Sequence, residues 1–203
     1  MDRKSALLAA ALALAAGAVS AQSITFTPSN TVSFSQLFNP DGGVFAPGAF
    51  TTGDEGVFRA TANGRFTLTY LGQESSFSDA IRIAVNGGTL TEANTVGNTI
   101  TGTMTAGAPL DFTFFGSDGA FVTNGVVPAA LHPSFARLDS SNVVTNRGTF
   151  QYIVGYNDSA NHDDWDDFVV GINVAPIPEP QTYLLLLAGL GVVGFVARRR
   201  QAR

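Results

Sequence analysis

The chain has 203 residues, of which 45% are hydrophobic, and a formal net charge of −5. It contains no cysteine, so disulfides are excluded, and a domain of this size has to be held by core packing, with or without a metal. Five basic residues stand against 14 acidic ones between Gln22 and Ala175, which excludes a nucleic-acid partner because phosphate binding needs clustered lysine and arginine.

The first 21 residues have the pattern of a secretory signal peptide. Arg3 and Lys4 precede an apolar, alanine- and leucine-rich run that extends from residue 6 to residue 19. Small residues then lead to Ala21, as signal peptidase requires. We therefore expect signal peptidase to cut between Ala21 and Gln22, and the rest of the chain to be exported.

Residues 22–175 are predicted to form one all-β domain. Short stretches rich in valine, isoleucine, threonine and phenylalanine alternate with clusters of glycine, asparagine, aspartate and proline. This spacing favours a single antiparallel β-sandwich, either jelly-roll-like or immunoglobulin-like, with no helix longer than a turn or two. The predicted strands are 24–27, 31–37, 56–60, 65–71, 80–85, 98–104, 110–115, 121–127, 147–156 and 167–174.

Two turn motifs and one alternation pattern add detail to this prediction. Asn63-Gly64 and the segment 86–88, Asn-Gly-Gly, favour tight hairpin turns, because asparagine and glycine accept a positive φ. Alternate residues of a strand share one face of the sheet, and the apolar ones are expected to face the core. The side chains predicted to point inward are Phe66, Leu68, Tyr70, Phe112 and Phe114.

The segment 155–171 is the part of the domain most suggestive of chemistry, with five aspartates within residues 158–167. Ca²⁺ takes six to eight oxygen ligands, although this spacing departs from the EF-hand loop. Two interpretations stay open: a calcium site, or a solvated acidic turn whose side chains cap backbone N–H groups. The candidate calcium ligands are Asp158, Asp163, Asp164 and Asp166, while Asp167 is assigned to a backbone cap.

No catalytic motif is present in the sequence. His132 and His162 belong to no nucleophile motif, and G-x-S-x-G, H-E-x-x-H and the phosphate-binding glycine loop are absent. Lys4 is the only lysine and leaves with the signal peptide, so a catalytic lysine is excluded from the exported form. The sequence therefore predicts a protein that is not an enzyme.

Residues 176–203 combine a short proline motif, an apolar run and a basic cluster. Pro178-Glu179-Pro180 is followed by the run from Tyr183 to Ala197 and then by Arg198-Arg199-Arg200. A helix of this run would be about 23 Å long, against about 30 Å for a hydrocarbon core, which favours a transient transmembrane stop over a permanent span. The arginines are expected to stay in the cytoplasm and to leave the domain outside.

This tail resembles the PEP-CTERM sorting signal of Gram-negative bacteria that make extracellular polysaccharide. The resemblance implies processing by exosortase, a membrane protease-transpeptidase, at or near Pro178-Glu179-Pro180. It also implies a precursor anchored in the inner membrane, and a product at the cell surface or in the extracellular matrix of a biofilm. It says nothing about the fold of residues 22–175.

These patterns lead to a ranked set of functional hypotheses. The first is a non-enzymatic surface or exopolysaccharide-matrix protein, sorted through its tail. The alternative is a calcium-dependent carbohydrate-binding module, with extracellular polysaccharide as its partner, and a secreted hydrolase comes third. Aromatic side chains that could stack on a sugar ring are Tyr70, Tyr152, Tyr156 and Trp165, of which Trp165 is expected to close one end of the sandwich instead.

Overall fold

The computed structural model describes residues 23–85, 87–117, 119–126, 134–140, 142–159, 164–176 and 180–201. The predicted signal peptide, with its cleavage site between Ala21 and Gln22, lies outside these residues. Antiparallel strands make up most of the structure before residue 177, as predicted for an all-β domain. The strands are β1 (Ile24–Ser33), β2 (Thr52–Ala60), β3 (Gly64–Gly72), β4 (Ala80–Arg82), β5 (Thr89–Thr91), β6 (Thr99–Met104), β7 (Thr113–Phe115), β8 (Phe121–Thr123), β9 (Ser134–Asp139), β10 (Val143–Thr145), β11 (Gly148–Phe150), β12 (Tyr152–Asn157) and β13 (Phe168–Pro176).

A seven-stranded antiparallel sheet has the order β1-β2-β9-β12-β13-β3-β6. Its central pair is β12 and β13, with Tyr152 opposite Ile172 and Tyr156 opposite Phe168. On the other side of β13, Ile172 lies opposite Leu68 of β3. The connection between β12 and β13 and the end of β3 are therefore neighbours at one end of this sheet.

A four-stranded sheet, β5-β4-β7-β8, covers one face of the larger sheet. Apolar side chains of both sheets form one buried cluster, which confirms the predicted sandwich. The alternation of large apolar and small polar residues along β3 explains which side chains enter it. The five residues predicted to point inward are all fully or almost fully buried there: Phe66, Leu68, Tyr70, Phe112 and Phe114.

The opposite face of the seven-stranded sheet is also covered. Ile153 of β12 and Val169 of β13 point to this side, and both are buried in a second apolar cluster. The residues that cover them come from the segment 34–50 and from the β10–β11 hairpin, including Phe38 and Phe150. The central strands are therefore buried on both faces, as their nearly continuous apolar sequences require.

The predicted hairpin turn at Asn63-Gly64 is wrong, because β2 and β3 do not pair. β2 lies between β1 and β9, whereas β3 lies between β13 and β6. Oδ1 of Asn63 accepts a hydrogen bond from the N–H of Ala106 at 3.0 Å. This bond holds the connection between β2 and β3 against the chain that follows β6. For the second predicted hairpin the pairing is confirmed, because β4 and β5 are antiparallel neighbours with Ile81 opposite Leu90. The predicted tight turn is wrong, since the last pair, Arg82 and Thr89, lies too far apart in the sequence for it.

Two predicted strand boundaries also change. The predicted strand 24–27 and the first residues of the predicted strand 31–37 form a single strand, β1, which ends at Ser33 and has a register shift between Pro28 and Asn30. Pro28 is tolerated because β1 is an edge strand. The predicted strand 147–156 is divided at Gln151, where the chain passes from the β10–β11 hairpin into the large sheet.

The tail forms one helix, α1 (Pro180–Gln201). Arg198, Arg199 and Arg200 occupy its last turn and are exposed, where their charges are favourable to the helix dipole. Pro180 is its first residue, and Pro178 and Glu179 lie outside the described residues. Within the described part of the chain, no helix combines the length and the apolar character that a membrane crossing needs.

Candidate functional site

The aspartate-rich segment connects the two central strands of the seven-stranded sheet. Asp158 and Ser159 follow β12, and residues 164–167 lead directly into β13. Asp163, one of the predicted calcium ligands, and His162 lie outside the described residues, as does His132. The described part of this connection thus consists of its two ends, one next to β12 and one next to β13.

The aspartates next to β13 are buried, contrary to the interpretation as a solvated turn. Asp164, Asp166 and Asp167 have exposed fractions of 4%, 1% and 6%. Carboxylates are almost never buried to this extent unless they are paired or bind a metal. The capping part of that interpretation holds, because Oδ2 of Asp167 accepts a hydrogen bond from the N–H of Asp158 at 2.8 Å.

Trp165 explains why this segment lies so close to the sheet. Its backbone crosses β12 at Gly155, where an added Cβ would overlap the carbonyl oxygen of Trp165. Its ring stacks on Phe34 with 5.2 Å between the ring centroids, and only 2% of the residue is exposed. Glycine at residue 155 thus permits a contact that fixes the aspartates on either side of the tryptophan.

None of the four aromatic residues considered for sugar stacking is exposed, and for Trp165 this agrees with the expectation that it is buried. Trp165 is buried between Phe34 and β12. The three tyrosines named with it belong to the core cluster between the sheets, although Tyr152 also lines a cavity next to Arg137. Their exposed fractions are at most 2%: Tyr70, Tyr152 and Tyr156.

Three carboxylates converge at this end of the sheet: those of Glu74, Asp164 and Asp166. One carboxylate oxygen from each residue lies within 4.8 Å of the others. The N–H of Glu74 also donates to the carbonyl oxygen of Asp166 at 2.9 Å, which holds the two segments together. Two predicted calcium ligands are thus brought together, with a third carboxylate that the sequence did not indicate. We call these three residues the acidic triad.

Asp158 lies outside the acidic triad. Its carboxylate accepts a hydrogen bond from Ser75 Oγ at 3.3 Å, and its backbone N–H is held by Asp167. Burial raises the pKa of Asp167 to about 8, and the charges of Asp158 and Asp164 add to this increase. Asp158 and Asp167 thus form an acidic pair beside the acidic triad.

Asp166 is the most constrained member of the acidic triad. Its Oδ2 accepts a hydrogen bond from the N–H of Asn39 at 2.6 Å, while its buried Oδ1 has no hydrogen-bond partner among the described residues. Burial raises the pKa of Asp166 to about 6, the N–H of Asn39 opposes this, and the charges of Asp164 and Glu74 raise the pKa further. Ionisation of the Asp166 carboxyl group therefore costs free energy in the folded protein.

A second polar feature lies next to strands β1, β9 and β12. A cavity of about 340 Å³ is lined by Arg137, Phe26 and neighbouring residues. Arg137 forms an ion pair with Asp54, and its guanidinium carbon lies 4.5 Å from the centroid of the Phe26 ring. The arginine is thus already engaged in joining β2 to β9.

The comparison with known families concerns the tail. Residues 176–200 match the model of the PEP-CTERM protein-sorting motif. The chain carries a PEP-CTERM sorting motif. The motif implies an exported precursor that is anchored in the membrane and processed by exosortase, a membrane protease. No curated protein and no solved structure matches the chain.

Proposed function

We propose that this protein is a non-enzymatic component of the cell surface or of an exopolysaccharide matrix, delivered there through its PEP-CTERM tail. The observation that carries the proposal is the position of the motif, which starts at Pro176, the last residue of β13. Processing near Pro178-Glu179-Pro180 would release the sandwich with its central strand complete. The absence of catalytic motifs from the sequence supports a role without chemistry.

Replacement of Glu179 by alanine tests the sorting step. We expect the full-length precursor to accumulate in the membrane fraction of a host that contains exosortase, measured by immunoblotting. Glu55→Ala, an exchange of the same type in the sandwich, should mature like the wild type. Normal maturation of Glu179→Ala would remove the tripeptide from the mechanism.

Replacement of Arg198, Arg199 and Arg200 together by glutamine tests the anchor. The positive charges favour a cytoplasmic location of this end, so their loss should weaken retention of the precursor in the membrane. Arg147→Gln, in the β10–β11 turn, is the control. Identical fractionation of the triple variant and the wild type would contradict the anchoring role.

The N-terminal prediction has its own direct test. If signal peptidase cuts between Ala21 and Gln22, the exported protein should begin at Gln22 when its N-terminus is sequenced. A product that still begins at Met1 would contradict the export route. The location of the product, at the surface or in the matrix, follows from fractionation of whole cells and washed polysaccharide.

The alternative is a calcium-dependent carbohydrate-binding module. The acidic triad, with its two buried aspartates, favours the cation component of this alternative. The burial of Trp165 and the three tyrosines leaves its sugar component without the aromatic platform considered for it. Binding to exopolysaccharide that disappears on addition of a chelator would favour this alternative. Binding that ignores the chelator would favour a plain matrix protein.

A further inference from the structure

We propose that Glu74, Asp164 and Asp166, the acidic triad, bind one Ca²⁺ ion at the end of the seven-stranded sheet. The proposal does not depend on the sorting tail. Ca²⁺ binds oxygen ligands at about 2.3–2.6 Å, so two oxygens of one ion lie at most about 5 Å apart. The triad oxygens lie within 4.8 Å of one another, so each pair of them meets this limit.

The carboxylate of Asp166 gives a second and independent reason. The residue is 1% exposed, and its Oδ2 is held at 2.6 Å by the N–H of Asn39, which fixes the orientation of the group. The other oxygen, Oδ1, is buried and has no hydrogen-bond partner among the described residues. A buried acceptor without a partner costs free energy, and a cation in the acidic triad would supply the missing interaction.

The chemistry of the ligands favours a hard cation such as Ca²⁺ over Zn²⁺ and copper. All three side chains offer hard carboxylate oxygens, whereas Zn²⁺ and copper sites use histidine or cysteine, and the chain contains no cysteine. Glu74 is exposed, so water can reach the ion and complete its coordination. A site with few protein ligands is expected to bind in the range of extracellular modules, about 10⁻⁴–10⁻³ M.

The ion would join three segments that are distant in the sequence. Asn39 is bonded to Asp166, and Glu74 donates its N–H to the same residue at 2.9 Å. Asp41 forms an isolated β-bridge with Gln73, directly before Glu74. The segment 34–50, which covers the outer face of the sheet, is thus anchored at the acidic triad, so Ca²⁺ should slow its local opening.

The proposal is tested by calorimetric titration of CaCl₂ into the full chain, purified in detergent and stripped of metal with a chelator. We expect one Ca²⁺ per chain and a weaker response to MgCl₂, since Mg²⁺ demands stricter octahedral geometry. Asp166→Asn should lower the Ca²⁺ affinity at least about tenfold, because it removes one ligand charge. Asp111→Asn is the matched control, since Asp111 also accepts a backbone N–H, that of Val85 at 2.9 Å, but lies outside the acidic triad.

Glu74→Gln keeps the test decisive if Asp166→Asn does not fold, because Glu74 is exposed and its replacement leaves the packing intact. It should weaken Ca²⁺ binding in the same direction. Hydrogen exchange gives the second readout: the amides of Asn39 and Glu74 should exchange more slowly in calcium. Wild-type affinity in both variants, or the absence of any binding at millimolar Ca²⁺, would overturn the proposal.

Discussion

Two carboxylates, Asp54 in β2 and Asp166 shortly before β13, lie in opposite electrostatic environments. Asp54 lies on the β2 side, about a quarter exposed, where a hydrogen bond from Thr31 Oγ1 and an ion pair with Arg137 hold its pKa below the usual range. Asp166 is buried, and its pKa is raised to about 6. The fold thus supplies Asp54 with a cation of its own, whereas Asp166, on our proposal, takes one from solution.

Of the changes considered, Gly155→Ala should disturb the surroundings of Asp166 most severely. The new Cβ would overlap the Trp165 carbonyl and displace the backbone between Asp164 and Asp166. Forced overpacking of this kind is expected to lower the free energy of unfolding by at least about 3 kcal/mol. Chemical denaturation measures the loss, and calcium titration should show weakened binding.

Gly189→Ala is the control for this exchange, because a Cβ at that position of α1 meets nothing within 4 Å. It should leave the sandwich as stable as the wild type. A Gly155→Ala protein with unchanged stability and calcium affinity would show that the close approach of Trp165 does not position the acidic triad.

The pH dependence of stability should have opposite signs at the two carboxylates. Because the folded pKa values of Asp166 and Asp167, about 6 and about 8, exceed the usual value of 3.8, the folded state holds protons that the unfolded chain has released. In chelator the free energy of unfolding should therefore fall steadily as the pH rises from 5 to 8. The lowered pKa of Asp54 acts in reverse, since its contribution is present above about pH 4 and is lost as the pH falls further.

Melting curves in chelator between pH 5 and pH 8 measure the first effect. Calcium should oppose it, because the ion binds the ionised carboxylates, so the calcium-induced rise in Tm is expected to be larger at pH 8 than at pH 5. A free energy of unfolding that increases with pH in chelator would contradict the raised pKa values of Asp166 and Asp167.

The effect of Asp166→Asn on the free energy of unfolding should change sign between chelator and calcium. At pH 8 in chelator the variant should be more stable than the wild type by about 1–2 kcal/mol, since it removes a buried charge while an amide oxygen can still accept the N–H of Asn39. In saturating calcium the order should reverse, because only the wild type gains from the ion. A variant that is destabilised equally in both conditions would indicate a purely structural role for Asp166.

Asp54→Asn, the same exchange at the other carboxylate, should have the smallest effect and the opposite sign. The partners are partly exposed, so loss of the Arg137 pair is expected to cost about 0.5 kcal/mol. The loss should shrink in high salt, where surface charges are screened, and should not respond to calcium. A calcium-dependent difference at Asp54 would place the ion away from the acidic triad.

Local sequence patterns were sufficient for the parts of the fold that depend on local forces. The alternation along β3 predicted that Phe66 and Leu68 are buried, and the glycines of residues 86–88 predicted that β4 and β5 form a hairpin, although not the length of its loop. The capping role of Asp167 was also predicted. Each of these features is decided by residues within one strand or turn.

Long-range pairing accounts for what the sequence did not predict. β9 (Ser134–Asp139) was missed because its alternation is weak, although it lies between β2 and β12. Glu74 gave no signal as a ligand, since it is far from Asp164 in the sequence and approaches it only because β3 pairs with β13. Knowledge of that pairing would have indicated Glu74, as it closely follows the end of β3.

The decisive experiment is a crystal structure of the protein grown in calcium. We expect an ion within about 2.3–2.6 Å of carboxylate oxygens of Glu74, Asp164 and Asp166, with Oδ1 of Asp166 among them and Asn39 still bonded to Oδ2. An acidic triad that contains only water at saturating calcium, or an ion held by other residues, would contradict it.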